Sequence, residues 1–159
     1  DMDIRVLGTQ LNVMAYPDIE FAEVVLETGK VKIEGTTGYF EKTLKPGEKL
    51  KLLPKINKFG VQQVDTKPYT AWKEGFLMLN DETLEQAAHR IERWYNVDIE
   101  IKDETLKNYR FKATFQDEPL EEVLRLMAIT TPMDYTIEKR QAGADNIYKK
   151  KKVTIKQKK

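Results

Sequence analysis

From Ile4 to Val64 the apolar residues mostly alternate with polar ones: at Ile4 and Val6, at Leu11, Val13 and Ala15, at Val31 and Ile33, and at Leu50 and Leu52. A period of two puts such side chains on one face of a half-buried strand. Turn residues punctuate the run at Gly8, Pro17-Asp18, Gly29-Lys30, Gly35, Gly38 and Pro46-Gly47. Glycine there permits positive φ, and proline presets the first turn position. Short strands joined by tight turns predict an N-terminal all-β sandwich, jelly-roll-like, with no helix before about residue 70.

The polar stretch Asp65-Thr66-Lys67-Pro68 interrupts this pattern, and its proline disfavours helix at Lys67. Two domains are therefore expected, 1–67 and 68–159. In the second, Leu77 and Leu79 alternate as a strand. Leu84, Ala88, Ile91 and Tyr95 then recur at helical steps, with Asp81 or Asn80 as cap and Asn96 as stop. Val97, Ile99 and Ile101 alternate again. The same order follows with a strand at Tyr109, Phe111, Ala113 and Phe115 and a helical stripe at Leu120, Val123, Leu124, Met127 and Ala128. Asp117 is its expected cap, Pro119 lies in its first turn, and Thr131-Pro132 stops it before Met133, Tyr135 and Ile137 alternate.

These two runs are copies of one another. Asp81-Glu82-Thr83-Leu84-Glu85 returns as Asp117-Glu118-Pro119-Leu120-Glu121, and the offset of 36 residues (117 − 81) also carries Asp98 onto Asp134 and Ile101 onto Ile137. The second domain is accordingly expected to be α+β with duplicated βαβ units, at about 76–101 and 111–137. A last hairpin arm is expected from Ile147 to Ile155, after Ala142-Gly143-Ala144-Asp145-Asn146.

At 159 residues, 40% hydrophobic and 33% charged, the chain can bury a core. With no cysteine, disulfides, thiolate catalysis and zinc–cysteine sites are excluded. There is no apolar run of about 18 residues and no basic-then-apolar start. The opening Asp1-Met2-Asp3 runs almost at once into a strand pattern, as in a part excised from a longer protein. A net charge of +1 hides an asymmetry, since Lys149 to Lys159 holds seven lysines and no acid.

Candidate catalytic groups have structural readings that fit better. His89 is the single histidine and has no cysteines with which to hold zinc. Asp81-Glu82 and Asp117-Glu118 are paired carboxylates suited to acid–base work, but at helix starts they are better read as caps and dipole partners. Trp72 and Trp94 are read as core or interdomain packing rather than as a sugar platform. Lys149-Lys150-Lys151-Lys152 is read as an edge strand guarded by lysine, not as a nucleic-acid or lipid patch. No phosphate loop, catalytic triad or metal-ligand set is present, so no enzyme, cofactor or metal is expected.

Several stretches resemble the periplasmic region of FecR-type anti-sigma factors. Gly8-Thr9-Gln10-Leu11-Asn12-Val13 is similar to the family's GTxFxV signature, with Leu11 where phenylalanine is commoner. Leu44-Lys45-Pro46-Gly47-Glu48 resembles its L-x-P-G-E turn, and Trp72-Lys73-Glu74-Gly75 its W-x-x-G junction. Arg93-Trp94-Tyr95-Asn96-Val97-Asp98-Ile99 resembles the R-W-Y-x-V-x-I stretch of the C-terminal domain in Bacteroidetes members, a domain similar to the short N-terminal domain of secretins and TonB-dependent transporters. The resemblance implies the periplasmic sensor and relay region of a single-span inner-membrane protein. Its expected partners are the periplasmic signalling domain of a TonB-dependent outer-membrane transporter and, through a cytoplasmic segment outside this chain, an extracytoplasmic-function sigma factor. The expected contact is a partner strand added along an open sheet edge or a packed helix face, with Lys152, Val153, Thr154 and Ile155 as the expected exposed edge. The alternative is a carbohydrate- or envelope-binding structural domain without a signalling role.

Overall fold

The computed structural model describes residues 2–17, 19–36, 38–139 and 149–158, and the chain divides into two compact units, Asp1–Lys73 and Glu74–Lys159. The first unit holds β1 (Met2–Ala15), β2 (Ala22–Gly35), β3 (Glu41–Leu44), β4 (Glu48–Leu53) and β5 (Lys58–Gln63), followed by the short helix α1 (Lys67–Thr70). All five strands form one antiparallel sheet. β2 is its spine. One edge of β2 pairs with β1; the other pairs first with β4, at Ala22 to Val25, and then with β3, at Val31 to Glu34.

The alternation in this half is a burial pattern. Val24, Leu26, Val31, Ile33, Leu44, Leu50 and Leu52 all point into one core with Phe40, while Val6 and Val13 on β1 stay about half exposed. Phe40, just before β3, stacks on Phe59 of β5 with ring centroids 4.5 Å apart. The expected sandwich is corrected, because the five strands of this unit lie in one sheet and no second sheet covers this core among the described residues. The Pro46-Gly47 turn sets the β4 register. Gly47 donates its N–H to Leu26 O at 2.9 Å, and its φ of 83 suits glycine; a Cβ there would also have to displace the end of the Gln63 side chain.

On the opposite face of β2, Glu23 and Val25 are also buried. Lys49 donates to Glu23 Oε1 and to Tyr69 OH, each at 3.1 Å, and Thr70 donates to Glu27 Oε1 at 3.0 Å, so α1 is tied down over this face by polar contacts. Burial works against the Lys49 charge, yet the Tyr69 hydrogen bond and the Glu23 carboxylate hold its pKa above the ordinary lysine value. The first unit therefore runs past the expected boundary at residue 67, because α1 belongs to its sheet.

The second unit contains β6 (Phe76–Thr83), α2 (Leu84–Tyr95), β7 (Val97–Ile101), α3 (Glu104–Lys107), β8 (Arg110–Gln116), α4 (Leu120–Thr130), β9 (Met133–Ile137) and β10 (Lys151–Gln157). Equivalent elements keep the offset of 36, with α2 and α4 beginning at Leu84 and Leu120, and β7 and β9 at Val97 and Met133. The duplicated βαβ arrangement is nevertheless corrected. A βαβ unit requires its two strands to lie parallel in one sheet, but here β6 pairs antiparallel with β8, whereas β7 and β9 flank β10 in a separate sheet. The only parallel pairing among the described residues is that of β7 with β10, so the chain as a whole is mostly antiparallel sheet with a few helices. Leu77, Leu84, Ile91, Leu106, Val123, Leu124, Val153 and Ile155 meet in one core. The expected turn at 142–146 and the start of the last arm, Ile147 and Tyr148, lie outside the described residues.

Candidate interaction surface

The acidic pairs are placed by the backbone. Asp81 and Asp117 do not cap helices; each is a left-handed residue with φ 57. Asp81 sits where the β6–β8 register slips, and its Oδ1 accepts from Arg110 Nε at 2.8 Å. Asp117 Oδ1 would lie 3.1 Å from a Cβ on Gly75, which has φ 80 and for both reasons suits glycine. The α2 cap is Thr83, whose hydroxyl accepts from Gln86 N–H at 3.3 Å while Gln86 Oε1 accepts from Thr83 N–H at 3.0 Å. This capping box is spelled by Thr83-Leu84-Glu85-Gln86 and was legible as a T-x-x-Q motif. In α4 the corresponding residue, Pro119, makes no side-chain cap. Glu82 pairs with Arg90, and Glu118 accepts from Gln116 N–H, so both glutamates are structurally engaged.

Lys152, Val153, Thr154 and Ile155 do not form an edge. They belong to β10, the middle strand of the order β7-β10-β9, and are paired on both sides. Val153 and Ile155 are buried, which leaves only the outward side chains of Lys152 and Thr154 for a partner. The lysines there are charge partners of the first copy's strand: Lys152 reaches Glu100 Oε2 at 3.0 Å and Lys150 reaches Asp98 Oδ1 at 3.5 Å. Hydrogen bonds from Lys102 and Lys152 hold the Glu100 carboxyl below its ordinary pKa. The lysine pattern marks a strand that neutralises its neighbours.

The true edges of this sheet are β7 and β9. The β7 edge is blocked from within, since Ile99 donates its N–H to Glu92 Oε1 of α2 at 2.7 Å. The other Glu92 oxygen lies 3.0 Å from His89 Nδ1, so the lone histidine steadies this guard from an exposed position. Glu92 gives no sign in the sequence, because its role depends on how α2 packs over β7.

The remaining candidates separate. Of the two tryptophans expected in core or interdomain packing, Trp94 packs against the second core, whereas Trp72 is 56% exposed, outside either core, and donates Nε1–H to Asn12 Oδ1 at 3.0 Å. An open groove of about 390 Å³ on the β4–β5 face is lined by three lysines, Lys49, Lys51 and Lys58, and by Leu53, Phe59 and Val61 beside Gly60 and Gln62, with no carboxylate or imidazole. Among the described residues, no group of three His, Cys, Asp or Glu is placed to hold a metal, and no helix is long and apolar enough to cross a membrane.

Comparison with known proteins finds a family for part of the chain. Residues 76–142 match the family described as FecR, C-terminal. The match covers less than half of the chain, and this segment is similar to the FecR C-terminal domain. It spans β6 through β9, the two copies and the helices α2, α3 and α4. Two crystal structures of a candidate anti-sigma factor from Parabacteroides distasonis ATCC 8503, at 1.65 Å and 2.50 Å, share the fold with TM-scores of 0.78 and 0.75. Each is 23% identical to this chain and covers 99% of it and 68% of the crystallised chain, so the matched segment and the strands before it both have counterparts in that fold. No curated protein matches. The FecR-type resemblance carried by the sequence motifs is thus supported by the family match and by the fold.

Proposed function

We propose that this chain is the periplasmic sensor and relay region of a single-span membrane anti-sigma factor. It binds the signalling domain of a TonB-dependent outer-membrane transporter and so controls an extracytoplasmic-function sigma factor. The FecR C-terminal match over 76–142 carries this reading, and it supports a regulatory role. The structure offers such a role backbone edges and exposed side chains, which are means of recognition and not of turnover. A relay requires the partner to bind the resting and signalling states with different affinity, because contact alone shifts no equilibrium.

The test is made in the native cell, by deleting residues 76–142 from the full-length protein and recording sigma-dependent transcription when the transporter's substrate is supplied. The expected result is that transcription no longer follows the substrate. An unaltered response contradicts the proposal.

A further inference from the structure

The two copies treat their edge strands differently. Glu92 and Ala128 are equivalent at the offset of 36, as are Ile99 and Tyr135. In the first copy Glu92 accepts the outward N–H of Ile99 and closes the β7 edge. Alanine has no oxygen with which to do the same for Tyr135.

The phase of the β9–β10 ladder shows that Tyr135 needs such a guard. Glu138 donates its N–H to Lys152 O at 2.8 Å, and Lys158 donates to Pro132 O at 2.9 Å. In a regular antiparallel pair, residues alternate in the side to which their backbone groups turn. Hence 132, 134, 136 and 138 face β10, while Met133, Tyr135 and Ile137 face away. Met133 N–H is taken up by Thr131 O at 2.7 Å, whereas the N–H groups of Tyr135 and Ile137 have no partner among the described residues.

We propose that the outer edge of β9 is the docking site of this domain and that it takes an extended strand of a partner protein. The side chains specify that strand. On the face away from the helices β9 exposes Asp134, Thr136 and Glu138; on β10 Lys156 lies opposite Asp134 and Lys152 feels the Glu138 charge, and a lysine or arginine of the added strand would be complementary to the same two acids from the other side. On the helix side Tyr135 and Ile137 are half-buried, and Ile129 of α4 is 67% exposed; apolar residues fit there. Main-chain hydrogen bonds supply affinity and the alternating side chains supply choice. A second copy is disfavoured, because it would set its own Asp134 and Glu138 beside these acids.

This inference rests on the relay reading, and the probe is whichever isolated transporter signalling domain binds the whole chain. Two substitutions address the edge. Ala128→Glu installs the guard of the first copy, and Ile137→Pro removes an outward N–H at an edge position that tolerates proline. Both are expected to weaken binding at least tenfold while keeping the native circular dichroism. Thr136→Pro, which removes a donor facing β10, is expected to unfold the sheet instead. Amide exchange gives the independent readout: in the free chain Tyr135 and Ile137 exchange fast beside protected Ile99 and Thr136, and bound partner slows both. Two results overturn the inference alone: binding that survives both variants, or slow exchange at both amides in the free chain. Silence of every signalling domain towards the wild-type chain overturns the relay reading, and this inference with it.

Discussion

Asp81 and Asp117 lie 36 residues apart and share one left-handed backbone angle, φ 57. Each lies two residues before the N-cap of a helix, Asp81 at the register slip within β6 and Asp117 just past the end of β8. Asparagine and aspartate tolerate this region better than β-branched residues do. Asp81→Asn is therefore expected to lower the melting temperature less than Asp81→Val, although both lose the Arg110 ion pair. Equal losses, measured by thermal circular dichroism, would show that the ion pair and not the backbone angle matters.

Thr83 closes a capping box that Pro119 does not. Thr83→Ala is expected to cost about 1 kcal/mol of stability in urea unfolding. No change in the midpoint would refute the cap.

The interior position of β10 separates two neighbours. Ile155 is 1% exposed in the core, and truncation to alanine is expected to cost about 2–5 kcal/mol. Lys152→Ala, at an exposed ion pair, is expected to leave the urea midpoint almost unchanged. An Ile155 cost as small as that of Lys152 would show that its side chain does not sit in the core.

Stability should fall at both ends of the pH scale. Glu100, Asp81 and Glu122 are held below their ordinary pKa first by hydrogen bonds from Lys102, Arg110 and Arg125 respectively. A depressed carboxylate contributes fully above its unfolded pKa and loses that contribution as pH falls through the folded one, so the acid limb begins below about pH 4.3. Lys49 has the opposite sign: its raised pKa gives a contribution present below about pH 10.4 and lost above it. Urea midpoints across pH check both limbs, and the acid limb should flatten in high salt because these carboxylates are exposed. Stability that rises on acidification would contradict the assignment.

Removing the guard at Glu92 should open the first edge. Glu92→Ala is expected to speed amide exchange at Ile99 without changing Thr136, and to promote concentration-dependent self-association. An Ile99 amide that stays protected would show that something else covers β7.

The periodic part of this fold was legible in advance. Leu84, Ala88 and Ile91, or Val31 and Ile33, are buried where their spacing placed them, because helical and strand periods report local geometry. Pairing between strands was not legible. Lys152 to Ile155 alternates as an edge would, but alternation shows that one face is buried and says nothing of how many backbone edges are filled. For the same reason β-α-β order in the chain did not distinguish a βαβ unit from strands shared between two sheets. Asp-Glu before an apolar stripe and Thr83 with Gln86 are competing cap signals, and the backbone chooses the second because Asp81 adopts the left-handed region. The contrast between Glu92 and Ala128 can be seen once the copies are aligned, but it acquires meaning only from the placement of α2 over β7.

The central claim is that this chain receives a signal by binding one transporter's signalling domain, and calorimetric titration of the purified, folded chain against the isolated signalling domains of the same cell tests it most directly. Saturable binding to one domain, with the others silent, is the expected result. Silence from all of them would contradict the account.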